Sequence, residues 1–361
     1  MEVSHVSSSL VSGRSGAAMV SETTGLERNA VANWIRSLGI AVTGSLTFER
    51  VGLGQSNLTF LVADEAGCRW VLRRPPLGPL LASAHDVARE ARIMSALGDT
   101  AVPTPQVYGF TQDARYTDAT LLLMEFVDGL VVDRMSIAES LTSKRRREIG
   151  LALPKALAQI HAVDLKQSGL DDLASHKPYA QRQLRRWSRQ WEESKTRELP
   201  ELDSLTARLV AAVPEQHELS LVHGDFHIRN VITSPESGEV VATLDWELST
   251  LGDPLADMGS MLAYWPEAGE ATALDFAPTV LDGFPSREEL AAAYIDETGR
   301  DPAALKYWHT LGLWKVAIIA EGVMRRAMDE PANKAADGTP TVEQIDGLVR
   351  TATQVADEAG I

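Results

Sequence analysis

LVHGDFHIRNVITSPESGEVVATLDWELSTLGDPLAD, residues Leu221 to Asp257, crowds acids, two histidines and an asparagine onto short apolar runs. Leu219, Leu221 and Val222 predict one strand, Val231-Ile232-Thr233 a second and Val240 to Leu244 a third; the last two are joined by the turn-forming Ser234-Pro235-Glu236-Ser237-Gly238. The acids therefore fall at strand ends and in loops. Asp225 follows His223-Gly224, Asn230 comes five residues after it, and Asp245 closes the 240–244 strand. Phosphoryl transfer needs such a set: a carboxylate to orient an attacking hydroxyl and accept its proton, and hard oxygen ligands for magnesium on a triphosphate. Asp225 is then the base, and Asn230 and Asp245 the ligands. Glu247 points the same way as Asp245 if the strand continues, and assists with the second ion or its waters.

The same residues admit another chemistry. His223, Asp225 and His227 form H-x-D-x-H, which with Asp245 and Asp257 is a donor set for zinc or a metal pair in a hydrolase. That alternative gives Asn230 no task. Asp257 reads as structural, a buried carboxylate tying the loop through backbone amides, and His223 as part of the scaffold.

H-G-D-x-x-x-x-N followed by an apolar strand ending L-D-W-E resembles the aminoglycoside phosphotransferase and choline kinase group, relatives of the protein kinases. Gly224 stands where the kinase catalytic loop has Arg, and Trp246-Glu247 where kinases have Phe-Gly. The run D-W-E-L-S-T-L-G-D-P-L-A-D is most similar to the branch that includes kinase-like domains attached to acyl-CoA dehydrogenases, and the likeness covers roughly 26–330. It implies an α+β, bilobal, protein-kinase-like fold with a small five-stranded antiparallel N-lobe sheet (25–127) and a larger, mainly helical C-lobe (128–361). It also implies transfer of the γ-phosphate of ATP, or GTP, to a small-molecule hydroxyl with Mg2+. No activation segment ending in A-P-E follows Asp245, which disfavours a protein substrate. A regulatory pseudokinase that binds nucleotide without turnover is the remaining alternative.

Composition sets outer limits. At 361 residues the chain exceeds one typical core, so two lobes are expected. A formal charge of −16 argues against a nucleic-acid partner and suits a cationic substrate. Cys68 alone excludes an internal disulfide framework and fits a reducing, cytoplasmic compartment. No run approaches the ~18 apolar residues that read as a membrane span, so no membrane partner is expected. A monomer and a homodimer are both compatible.

Residues 1–24 are Ser-rich and aperiodic and read as disordered, with Met19 a second candidate start. Leu26, Ala30, Trp34 and Leu38 mark an amphipathic helix ended by Gly39. Two strands then flank Gly52-Leu53-Gly54-Gln55-Ser56-Asn57, in the order with which a kinase N-lobe begins. Glycine backbone can approach phosphates closely, and Ser56 and Asn57 add donors. The third strand ends Val71-Leu72-Arg73, where kinases carry the phosphate-holding lysine; alternation turns Arg74 the other way. A helix starting near Ser83-x-x-Asp86 carries Glu90, which the resemblance pairs with Arg73. Strands at 107–110 and 121–126 lead into Met124 to Gly129, which resembles the hinge between kinase lobes, and the resemblance implies that backbone groups near Glu125 and Val127 meet the nucleobase.

The second half reads as helical. Lys144 to Arg147 is a solvated helix surface, and Pro154 should kink or interrupt the helix reaching His161. Arginines 182, 185, 186 and 189 alternate with Tyr179, Leu184, Trp187 and Trp191, a packed aromatic face with a basic rim from which an arginine can meet an anionic substrate or nucleotide tail. Trp265 and Trp308 are candidate pocket walls, and the helix from Val342 to Ala356 is a candidate docking or dimerising element.

Overall fold

The computed structural model describes residues 25–51, 57–77, 86–174, 177–270, 277–329 and 339–361. The expected disordered 1–24 segment, Gly52, Gly54 and Ser56 of the phosphate loop, Ser83, and 331–338 of the expected C-terminal linker lie outside the described residues. The fold is α+β, and the chain divides into two compact units.

The first unit comprises the chain to Leu130 together with Val241–Glu247. Helix α1 (Arg28–Ser37) precedes strands β1 (Thr47–Val51), β2 (Leu58–Ala63) and β3 (Arg69–Arg74); α2 (Val87–Leu97), β4 (Val107–Thr111) and β5 (Leu121–Glu125) follow. The strands form one antiparallel sheet in the order β1-β2-β3-β5-β4. Alternation explains its two faces. Phe60, Val62, Trp70 and Leu72 turn to one side and pack with Val31, Trp34 and Ile35, which the helical period gathers on one stripe of α1. Helix α2 begins at Asp86, whose side chain accepts the Arg89 amide as an N-cap.

The second unit comprises Val131–Val240 and Leu248–Ile361. Its helices are α3 (Met135–Ser140), α4 (Ser143–His161), α5 (Tyr179–Ser194), α6 (Pro200–Ala211), α7 (Pro254–Ala263), α8 (Arg287–Thr298), α9 (Leu305–Asp329) and α10 (Val342–Ala359). Strands β6 (Ser220–Val222) and β9 (Thr250–Gly252) pair antiparallel beneath the His223 loop. β7 (Val231–Thr233) lies in this unit, and β8 (Val240–Thr243) runs out of it into the first. Helix α9 is buried along most of its length. It crosses α7 at backbone contact: a methyl group added to Gly259 would stand 2.3 Å from the Trp308 carbonyl carbon, and one on Gly312 2.8 Å from the Gly259 oxygen. Capping boxes start α8 (Ser286, Glu289) and α10 (Thr341, Gln344).

Three expectations are corrected. Helix α4 runs unbroken through Pro154, so the one backbone donor missing there does not end it. The 144–147 run is only in part a solvated face: Lys144 and Arg147 are exposed, but Arg145 and Arg146 are half-buried and donate to the carbonyls of Glu236, Ala138 and Asp282. The chain past Asp245 is not strand, because Asp245 takes φ +67° and Trp246–Leu248 form a 3-10 turn; the side-by-side alternation assumed for Glu247 does not hold. The last helix docks within its own unit, burying Ile345, Leu348, Val349 and Ala352.

Candidate active site

In the first unit a ladder of charge crosses β3. The Arg73 guanidinium donates to Glu90 at 2.6 Å and to Asp245 at 2.7 Å. Register on β3 explains the selection: Arg73 faces one side of the sheet, while Arg74 is buried on the other and reaches Asp118 at 3.1 Å. Glu90 is almost wholly buried, and burial pushes its carboxyl up to about 7 against the pull of Arg73. Asp245 keeps its second oxygen uncommitted among the described residues. Asp245 is also the one non-glycine residue there with positive φ, a conformation that persists only where its surroundings enforce it. The segment is tied down by the Thr243 amide donating to the Pro103 carbonyl. Asn57 donates to Glu247 at 3.3 Å, and Asn57 Oδ1 and Arg73 Nε are buried without hydrogen-bond partners among the described residues.

At the expected hinge the Glu125 amide is already used, donating to the Gln106 carbonyl at 2.8 Å. Arg69 pairs with Asp128 and lies 4.1 Å over the Phe126 ring, holding the strand exit in place, and Val127 is half-buried.

In the second unit the His223 loop is pinned from below. Asp257, on α7, accepts the His223 amide at 2.5 Å and the Gly224 amide at 2.8 Å. Burial pushes the Asp257 carboxyl up, and His161, His223 and the Gly224 amide outweigh it and hold it below the usual range. His161 Nε2 meets Asp257 at 3.3 Å, and its Nδ1 meets the Tyr294 hydroxyl at 2.7 Å; Arg300 in turn donates to that hydroxyl. Burial lowers the affinity of His161 for a second proton, and with Nε2–H donating to Asp257 its Nδ1 accepts from the Tyr294 hydroxyl. Gly224 takes φ +83°, with the Leu248 carbonyl 2.7 Å from where a methyl would sit, so only glycine serves there.

Asp225 stands above this support with its side chain about a quarter exposed. The Asn230 amide nitrogen donates to the Asp225 carbonyl at 2.9 Å and to its carboxylate at 3.2 Å, which leaves the amide oxygen uncommitted among the described residues. His227 Nδ1 accepts the Arg229 amide, so the ring proton lies on Nε2, 3.4 Å from the Asp225 carboxylate. The Tyr264 hydroxyl is hydrogen-bonded to Asp225 as well. Burial pushes Asp225 up, but His227, Lys315 and His223 together hold it well below the usual carboxylate range.

The two histidines of the H-x-D-x-H alternative thus spend Nδ1 on loop amides. Among the described residues no group of three or more His, Cys, Asp or Glu side chains is arranged to hold a metal. The Asn230 amide oxygen in the second unit and the second Asp245 oxygen in the first are each hard donors of the kind magnesium takes.

The chain matches the phosphotransferase enzyme family over residues 47–308. It belongs to that family. Mouse acyl-CoA dehydrogenase family member 10 is 33% identical over 344 residues, covering 93% of this chain and 31% of the relative. Mouse family member 11 is 32% identical over 317 residues, covering 86% and 40%. The chain therefore spans about a third of these relatives. A Ralstonia eutropha protein solved as a candidate aminoglycoside phosphotransferase superposes with a TM-score of 0.75 at 29% identity, covering 93% of this chain and 98% of that one. The fold is also that of aminoglycoside phosphotransferase APH(4)-Ia, solved with AMP-PNP and hygromycin B (17% identity, TM-score 0.53, 88% and 98% covered).

Residue-by-residue reading passed over three contributors. Tyr264 carries no sequence signal, and His227 was weighed only as a metal ligand. Lys315 donates to the Gly224 carbonyl at 2.8 Å from the middle of α9; a lone lysine between Trp314 and Val316 was the available signal. Of the candidate walls, Trp265 is core, donating to the Pro285 carbonyl and packed on Phe284, whereas Trp308 lines a small cavity beside Lys315.

Proposed function

We propose that the protein transfers the γ-phosphate of ATP to a hydroxyl of a small molecule. The observation that carries this is the Asp225 carboxylate, accepting from His227, Asn230 and Tyr264 on a loop that Asp257 holds by its amides. Asp225 orients the acceptor hydroxyl and takes its proton as the new P–O bond forms and ADP departs. Asn230 and Asp245 supply oxygen ligands to the magnesium of the nucleotide, with Glu247 behind them. The ion supplies charge neutralisation for the phosphates. Arg73, held by Glu90, is assigned to the nucleotide phosphates together with Gly52, Gly54, Ser56 and Asn57, and backbone near Glu125 and Val127 receives the base.

For the acceptor, kinship with acyl-CoA dehydrogenase family members favours a hydroxy-acid or hydroxyacyl compound. An aminoglycoside-like amino alcohol is what the bulk charge of −16 would attract. Magnesium-dependent release of ADP against a panel of alcohols tests the activity, and no release with any alcohol would leave only a nucleotide-binding role. Calorimetry of AMP-PNP with and without Mg2+ tests the ligands. Asn230→Ala and Asp245→Ala should each remove most of the magnesium-dependent gain in affinity; a gain as large as that of the parent chain would reassign those residues.

A further inference from the structure

Helix α7 carries two buried carboxylates one turn apart, and only one of them is answered. Asp257 accepts two loop amides and faces His161. Asp253, at the start of the helix, is 8% exposed; its Oδ1 accepts the Leu255 amide at 2.9 Å, and its Oδ2 has no hydrogen-bond partner among the described residues. Arg300 acts on it only from a distance, because Glu218 accepts from that guanidinium twice, at 2.9 and 2.5 Å, and the Tyr294 hydroxyl accepts from it at 3.2 Å. Burial pushes the Asp253 carboxyl up to about 6, with Glu218 adding to this and the Leu255 amide, Arg300 and His217 opposing it. A helix cap needs one oxygen and no charge, which Asn or Ser supplies. An unpaired buried carboxylate lowers stability at neutral pH, and groups of that kind gather at binding sites.

The second observation is the space in front of it. Asp253 lines a cavity of about 970 Å3 within the second unit, room enough for a whole small molecule, with Pro214, Leu255 and Tyr307 among its apolar walls. Five carboxylates border that cavity against the two basic side chains of Arg300 and Lys306. Glu218 and Glu358 are paired with those two bases, and Glu215 and Asp301 stand exposed to water. Asp253 is the buried acid left without a counter-charge. What its free oxygen can take follows from geometry. A metal ion asks for several hard ligands, and among the described residues no three acidic, histidine or cysteine side chains are arranged to hold one. A guanidinium is best met by both oxygens of a carboxylate, and Oδ1 is already engaged by the Leu255 amide. An ammonium is a point charge that one oxygen can serve. An anion would meet the surplus of carboxylates.

We propose that this cavity is a binding site for a small organic amine, with the ammonium on Oδ2 of Asp253 and the carbon body against the apolar wall. The site stands apart from the phosphotransferase reading, since neither Asp225 nor Asn230 is among its walls.

The test uses the full chain and three probes that differ only at one end: n-hexylamine, n-hexanol and n-hexanoate. Calorimetry should give hexylamine an affinity roughly ten- to a hundredfold above that of hexanol, the worth of one charge-assisted hydrogen bond. Asp253→Asn keeps the cap and should bring hexylamine down to the level of hexanol, whereas Asp225→Ala should bind it as the parent chain does. Thermal melts establish that each variant is folded. Should Asp253→Asn not fold, NMR of the isotope-labelled parent chain decides the matter, the Leu255 amide signal moving with hexylamine and staying in place with hexanol. No preference for hexylamine over hexanol, tighter binding of hexanoate, a preference that survives in Asp253→Asn or is lost in Asp225→Ala, or a Leu255 signal that hexylamine leaves unmoved would each overturn the assignment.

Discussion

Asp225 is held so firmly as an anion that the base role proposed for it is chiefly one of position. Burial raises its affinity for a proton, but the combined pull of His227, Lys315 and His223 is larger. A carboxylate that acidic is a weak base. The loose transition state of phosphoryl transfer asks for little more, since the hydroxyl proton is lost late and alignment matters first. The sign of the pH dependence follows. A depressed pKa keeps Asp225 ionised as pH falls, so the acid limb of kcat/KM should lie below the ordinary carboxylate range. His227→Phe removes the Nε2–H that contributes to the depression. That variant should lose roughly ten- to a hundredfold in kcat, and its acid limb should move to higher pH. A profile whose limb stays in place would remove His227 from the account.

At the scale of elements, two contacts decide how the His223 loop is presented. The α7–α9 crossing depends on Gly259 and Gly312, where backbone meets backbone. Gly259→Ala should cost roughly 1–3 kcal/mol, or more if the helices cannot part, measured by urea unfolding. The second contact is the start of α7. Asp253 accepts the Leu255 amide there, and burial pushes its carboxyl up to about 6. The folded state then holds this proton more tightly than the unfolded chain, so its contribution to stability is full below the ordinary carboxylate value and is lost as pH rises through about 6. Asp253→Asn preserves the cap without the titration. Between about pH 4 and 7 the parent chain should lose about 2–3 kcal/mol relative to that variant; parallel stability curves would refute the assignment. The strands and helices were legible because hydrophobic period and capping residues mark them: β2 begins at Leu58, directly after the 52–57 stretch that two strands were expected to flank, and α1 closes before Gly39. Pro154 and Glu247 were misjudged because local rules spoke against tertiary ones. A buried helix tolerates one missing donor, and a residue with positive φ ended a strand that alternation alone would have continued.

For the whole molecule, legibility followed chain proximity. Asp225 with Asn230, and the loop-tying role of Asp257, could be read because spacing of a few residues and the family motif carry them. That Val241–Glu247 belongs with the first unit, bringing Asp245 to Arg73, was foreshadowed only by the resemblance. Lys315, some ninety residues from the loop it supports, left no trace beyond a charge in an apolar helix. Bulk charge misled in the same way, since −16 over the surface says nothing of the cation beside Asp225. Among the described residues no helix is long and apolar enough to cross a membrane. The central claim is that this chain makes a phosphoester and that Asp225 takes the proton. Its most direct test is mass-spectrometric detection of the phosphorylated alcohol formed from Mg-ATP by the parent chain and by Asp225→Ala, with AMP-PNP affinity measured on both. The account predicts product from the parent, a loss of at least roughly a hundredfold in the variant, and nucleotide affinity little changed. Product formed by Asp225→Ala at the parental rate would contradict it.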